Sequence, residues 1–153
     1  MRIACSVSAL LLGLLLSFSA QAAAVATTLV AQPELSRFTA ALKATGLDAR
    51  LRQGQWTVFA PVDSAPALPP PPYRAQDLPA LRNWLEHHLV PGRVLPASTS
   101  VAQASRSLAG SGVQLWGMAG QLVADDAPVR GPAVRADNGL IYVLTQPLLP
   151  FAP

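Results

Sequence analysis

Apolar residues change their spacing halfway along this chain, and that change constrains the fold more than any single motif. In the first half they recur at three- and four-residue steps: Leu35, Phe38, Ala41 and Leu42 in one stretch, then Leu78, Leu81, Leu85 and Leu89 in another. Both sets fit one face of an α-helix. In the second half they come in short runs over 113–116, 121–123 and 140–144, cut by turn residues at 117–120 and at Asp125-Asp126. Such runs read as short strands. Helices first and strands later predicts an α+β fold and argues against the alternating units of a parallel sheet.

Local signals place the ends. A helix over 33–45 has Pro33 and Glu34 in its first turn, Lys43 in its last and Gly46 to supply a left-handed closing residue; Leu47 and Leu51 then dock the exit segment. Gln55 to Ala60 is rich in aromatic and β-branched residues and reads as a strand that Pro61 ends. From 61 to 79 there are seven prolines, four of them consecutive at 69–72, which predicts an extended, semi-rigid loop. Its bland role is to cover the core between a strand and a helix. Its functional role would be a docking ligand, which makes Pro70, Pro71 and Tyr73 candidate binding residues. Asp77 is placed to cap a second helix from 78 to about 89, with Trp84 beside its leucine face and Pro91-Gly92 closing it. From 94 to 111 the chain reads as loop with a short strand or turn, and no internal repeat is visible.

Composition bears on location. The chain is 51% apolar with only 11 basic and 8 acidic residues in 153. The excess concentrates at the start: Met1 and Arg2, an apolar run from Ala9 to Leu16 interrupted by Gly13, then Ala20-Gln21-Ala22, the layout of a cleaved secretory signal. That run is too short to span a bilayer, which takes about 20 residues. Residues 1–22 are therefore expected to be removed and 23–153 to form a single domain with its core at about 26–150, secreted or periplasmic, without a transmembrane anchor and expected as a monomer. The remainder is about 48% apolar, ordinary for a globular domain. The one cysteine, Cys5, precedes the apolar run, so it is misplaced for a lipid anchor, and the mature chain has no thiol for disulfides, catalysis or metals. Ten of the eleven basic residues are arginines, which with the Ala and Leu richness hints at a GC-rich bacterial genome. They are scattered singly and give no footprint for nucleic acid.

The inventory for chemistry is thin. His87 and His88 are adjacent and would point about 100° apart on a helix, so they cannot chelate one metal. His88 is read as a buried structural residue and His87 as a solvated one. There is no G-x-S-x-G elbow, and Gly110-Ser111-Gly112 reads as a loop. Glu34 and Glu86 are the only glutamates, Asp125-Asp126 suits a turn better than a calcium site, and no glycine-rich phosphate cradle is present. No cofactor and no metal are expected. Trp56, Trp84 and Trp116 read as core or rim residues, with a ligand-lining role as the alternative. Trp116 is a candidate binding residue because Leu115 and Trp116 must face opposite sides of one strand.

Three segments, in order, are similar to the conserved boxes of the fasciclin (FAS1) domain family. They are Thr57-Val58-Phe59-Ala60-Pro61-Val62-Asp63-Ser64-Ala65, then Leu85-Glu86-His87-His88-Leu89-Val90-Pro91-Gly92-Arg93, then Asn138-Gly139-Leu140-Ile141-Tyr142-Val143-Leu144-Thr145-Gln146-Pro147-Leu148-Leu149-Pro150. The stretch Ala41 to Leu47 fits the family's opening. Pro66, His87, Tyr142 and Thr145 depart from the residues usual at their positions, an aromatic, a tyrosine, a histidine and an aspartate, which suggests a divergent member. The resemblance implies a FAS1-like fold, with helices from the N-terminal half packed on a wedge-shaped β-sandwich of short strands. It makes Thr57, Phe59, Ala60, Pro61, Asp63, His88, Pro91, Gly92, Asn138, Gly139 and Ile141 scaffold residues. On physical grounds Val58 and Phe59 should face opposite sides of their strand, Asp63 should accept backbone N–H bonds in a turn, and Asn138-Gly139 should form a positive-φ turn that sets the register of the last strand. The function implied is a non-enzymatic interaction module for a protein or cell-surface glycan. A carrier or sensor of a small apolar ligand or lipid is the alternative, and a hydrolase a distant third.

Overall fold

The computed structural model describes residues 23–66, 71–95, 103–118 and 120–148. The expected leader at 1–22, with Cys5, and Pro69 and Pro70 of the proline block lie outside them.

The first helical stretch forms as its spacing predicts, with two refinements. A 3₁₀ turn at Pro33–Leu35 leads into α2 (Ser36–Thr45), because Pro33 has no amide hydrogen to give and suits only a first turn. Ahead of it stands a helix that the periodicity does not announce, α1 (Val25–Val30). Leu35, Phe38, Ala41 and Leu42 are all buried, and Gly46 closes α2 at φ 74°, where a side chain would be strained. One turn of helix follows, α3 (Leu47–Arg50), with Leu47 and Leu51 buried as expected.

After β1 (Trp56–Pro61) the chain crosses the proline segment and a 3₁₀ turn at Ala75–Asp77 to reach α4 (Leu78–His87). Two expectations fail here. Asp77 occupies the position before the helix but makes no capping side-chain hydrogen bond. The helix also stops two residues early: His88 terminates it, and Leu89 opens the edge strand β2 (Leu89–Pro91), antiparallel to β1. Leu89 lies four residues after Leu85, so it prolongs the helical spacing while it belongs to the sheet, and it is buried either way. Pro91, unable to donate to a ladder, sits where an edge strand tolerates it.

The second half is β3 (Gln103–Arg106), β4 (Gly112–Met118), β5 (Gln121–Ala124), β6 (Ala127–Pro128), β7 (Val134–Ala136) and β8 (Gly139–Leu144). They build two four-stranded sheets, ordered β2-β1-β8-β7 and β3-β4-β5-β6. At the centre of the first sheet β1 and β8 run parallel, from Trp56 opposite Gly139 to Pro61 opposite Leu144. Every residue of both strands is buried, because this sheet is covered on both faces. Val58, Ala60, Ile141 and Val143 pack on the helices with Phe38, Leu42 and Leu85. Phe59, Leu140, Tyr142 and Leu144 pack on the second sheet with Val113, Leu115 and Ala124. The strand alternation thus feeds two cores, and each large side chain buried this way contributes about 1.5–3 kcal/mol. The architecture is α+β, with helices on a sandwich of short strands.

The start of β8 is fixed by contact and not by a special turn. Neither Asn138 nor Gly139 adopts a positive φ, contrary to the reading of this pair as a left-handed turn. Gly139 is required because a Cβ there would lie 1.8 Å from the Trp56 carbonyl oxygen. Asn138 spends its amide on three distant backbone groups: Oδ1 accepts from Val25 N at 2.7 Å, and Nδ2 donates to the carbonyls of Leu51 at 2.8 Å and Gly54 at 3.0 Å. One side chain ties α1 and the exit of α3 to the last hairpin.

Candidate functional site

Most residues of the three boxes face inward and hold the frame. Thr57 Oγ1 donates to the Gly92 carbonyl and accepts from Val94 N, both at 2.8 Å, which fixes the bend after Pro91 where Gly92 takes φ 94°. Phe59 stacks on Tyr142 with centroids 5.3 Å apart, while Ala60 and Ile141 fill the helix-facing core and Pro61 ends β1 opposite Leu144. Asp63 does not serve a local turn. Its carboxylate reaches the start of α2, accepting from Arg37 N at 2.8 Å, from Ser36 N at 3.2 Å and from the Ser36 hydroxyl. An anion at a helix N-terminus satisfies orphan amides and complements the helix dipole.

His88 is fully buried. The Leu148 N–H donates to its Nε2 at 3.0 Å, so the proton of the neutral ring sits on Nδ1 and is donated to the Trp84 carbonyl at 2.9 Å. Trp84 packs over the ring at 4.2 Å. Burial lowers its pKa to about 4, against the opposing hydrogen bond to Trp84. A neutral imidazole with both nitrogens bonded to backbone is a strut. His87 is half-buried, not solvated, and its Nδ1 lies 2.6 Å from Ser111 Oγ, which is 2.7 Å from Ser107 Oγ. That pairing is the nearest approach to a nucleophile and base, yet no carboxylate among the described residues orients the ring. Among the described residues no three His, Cys, Asp or Glu side chains gather as a metal site. Asp125, at φ 51°, turns the β5–β6 connection, with Oδ1 accepting from Gln114 N at 2.8 Å.

The candidate binding residues do not converge. Pro71 is exposed, and half-buried Tyr73 packs against the helical layer with its hydroxyl donating to the Arg37 carbonyl at 3.3 Å. Trp116 lies on the far side of the molecule, on the outer face of the second sheet, half-buried opposite Val123 and donating from Nε1 to the Asp125 carbonyl at 3.2 Å. Trp56 is core and Trp84 borders it. Pro70 lies outside the described residues.

A site that the motifs did not announce is an open cleft of about 800 Å³ at the mouth between the sheets. Its walls include Leu95, Leu122, Val129, Leu140 and Tyr142, with Arg135 at the side. The cause is legible in β4. Val113 and Leu115 point between the sheets and fill that space, but the next residue on this face is Gly117, and nothing lies within 4 Å of where its Cβ would be. The sheets part where the side chain is missing. Leu95, 60% exposed, borders the opening, and Tyr142 is held in its wall by a 2.7 Å hydrogen bond from its hydroxyl to the Val94 carbonyl.

The family model of the fasciclin domain matches residues 33–150. The chain is 35% identical over 121 residues to protein sll1483 of Synechocystis, across 75% of this chain and 67% of that protein. It is 31% identical over 127 residues to the immunogenic protein MPB70 of Mycobacterium bovis, across 77% of this chain and 64% of that protein. A solved FAS1 domain pair from the insect cell adhesion molecule fasciclin I superposes with a TM-score of 0.64 at 22% identity, over 83% of this chain and 51% of that one; at that identity the likeness concerns fold alone.

Proposed function

The chain belongs to the fasciclin domain family, and on that premise we propose that it is a non-enzymatic interaction module, exported by the segment at 1–22, that binds a protein or glycan of the cell surface. Fasciclin domains are a family of adhesion-type modules, generally without enzymatic activity, and the observation that carries the reading is the family match across 33–150, from the turn before α2 through β8. Export is consistent with the described residues, where no helix is long and apolar enough to cross a membrane. The sparse, scattered charge favours a partner held by shape and apolar contact over one drawn in by long-range attraction. Binding of the labelled domain to intact cells and to isolated envelopes tests this. Saturable binding that protease or periodate treatment of the envelope removes supports it and says which partner class is involved; no saturable binding at micromolar concentrations overturns it.

A second reading, carriage of a small apolar ligand, is favoured by one observation, the inter-sheet cleft. Its size falls within the range of about 300–1,000 Å³ usual for ligand sites, and aliphatic side chains dominate its walls. Native mass spectrometry of the purified protein checks it: a co-purifying lipid supports carriage, and a bare chain under conditions that preserve lipid complexes counts against it.

A further inference from the structure

We propose that the inter-sheet cleft binds a single-chain amphiphile with a carboxylate head, its tail entering the gap at Gly117 and its head held by Arg135. The proposal rests on the carrier reading and names the class of ligand. Two features of the walls point to it. The first is the pairing of an apolar interior with one cation. On β7 the half-buried Val134 and Ala136 pack toward the helices, so Arg135 between them emerges on the opposite face, the one that borders the cleft. It stands beside its ladder partner Leu140, whose side chain belongs to the inter-sheet core. Among the described residues no carboxylate pairs with this guanidinium, which is equally true of Arg37, Arg50, Arg74, Arg93 and Arg106; what sets Arg135 apart is that it borders this cleft.

The second feature is the shape of the apolar part. Leu122, Val129, Leu140 and Tyr142 leave a space at Gly117 whose lining is mainly apolar and which has Arg135 at its side. Besides Arg135 and the bonded hydroxyl of Tyr142, the polar side chain of the wall is Gln121, exposed at the start of β5. What dominates the lining is aliphatic surface, with one cation at the side for a negative charge to match. A planar carboxylate suits a guanidinium because the two can form paired hydrogen bonds. An inward-facing arginine on an edge strand has a different use, blocking pairing with another sheet, and the two uses predict different binding behaviour.

The test is displacement of dansyl-labelled undecanoate from the intact domain by dodecanoate and by dodecanol, which share a tail and differ in the head. Dodecanoate is expected to compete at micromolar concentrations, with dodecanol about fivefold to tenfold weaker, the discount reflecting a partly solvated head. Arg135→Gln should weaken dodecanoate to the level of dodecanol and Arg135→Lys should restore part of the loss. Gly117→Val, at a strand position whose φ suits any residue, should abolish binding of both while circular dichroism and melting stay unchanged. Equal competition by alcohol and carboxylate, unaltered by Arg135→Gln, overturns the carboxylate assignment and leaves an apolar carrier. No binding of the probe or of either competitor overturns both. Binding that survives Gly117→Val in a folded variant overturns the location, and should that variant fold poorly, the Arg135 pair decides alone.

Discussion

Lowering the pH should unfasten His88 before most of the molecule notices. In the folded chain the ring is neutral and its pKa is lowered from 6.5 to about 4 by burial. The unfolded chain takes up the proton near 6.5. Between these values the unfolded state binds more protons than the folded state, so stability rises with pH across this window. The contribution is complete above pH 6.5 and is lost as the pH falls toward 4. At about 1.36 kcal/mol per pKa unit the whole difference is about 3 kcal/mol, of which about 2.5 kcal/mol is gone by pH 4.5. The geometry explains the reluctance: a proton added to Nε2 would face the Leu148 N–H that now donates to it at 3.0 Å. Asp125 acts in the opposite sense, since burial raises its pKa above 3.8 and its protonation in the folded state favours folding at the acid end. A comparison with His88→Gln removes that shared contribution. Urea unfolding followed by tryptophan fluorescence from pH 7.5 to 4.5 should show the wild type losing about 2–3 kcal/mol more than the variant. Parallel stability curves would refute the assignment of a neutral, doubly bonded imidazole.

Other perturbations probe the frame. Gly139→Ala puts a methyl group 1.8 Å from the Trp56 carbonyl oxygen, so β1 and β8 must separate; a loss of about 3 kcal/mol or more, or insoluble expression, is expected, and a normal melting temperature would contradict it. Asp63→Ala removes the carboxylate that accepts from the Ser36 and Arg37 amides at the start of α2 and should cost about 1–2 kcal/mol in chemical denaturation, with no loss if the cap is dispensable. Phe59→Ala and Leu85→Ala empty the two cores separately and should cost about 3–5 and 2–5 kcal/mol; near-neutral midpoints at both would undermine the assigned faces.

What could be read in the sequence was whatever depends on neighbours along the chain. The faces of α2 and α4 follow from apolar spacing, and Gly46 is readable as a stop because few other residues tolerate its φ. The boxes around Thr57, His88 and Asn138 carried the family and with it the fold. What escaped depends on distant partners. Asp63 looks like a turn residue until Ser36 and Arg37 are brought to it, and Asn138-Gly139 looks like a hairpin signal until Trp56 is packed against it. Leu89 satisfied a helix and a strand equally by burial, so periodicity could not choose. The cleft left no motif because its cause is an absent side chain at Gly117, which stands out only once Val113 and Leu115 are seen to fill the rest of the row. Trp116, Tyr73 and Pro71 drew attention as amphipathic or rigid residues, but the fold places the first on the opposite side of the molecule from the other two.

The parallel pairing of β1 with β8 also governs how the chain can fold. About 80 residues separate Trp56 from Gly139, its partner, and α4, the whole second sheet and the edge strands β2 and β7 lie between them. Closing so long a loop costs entropy before any contact rewards it, and topologies rich in such distant pairings fold slowly. Until β8 is delivered, β1 has an open edge, a state prone to stray pairing. A chain that crosses a membrane unfolded would meet this condition on arrival, with the strand that completes its centre the last to emerge.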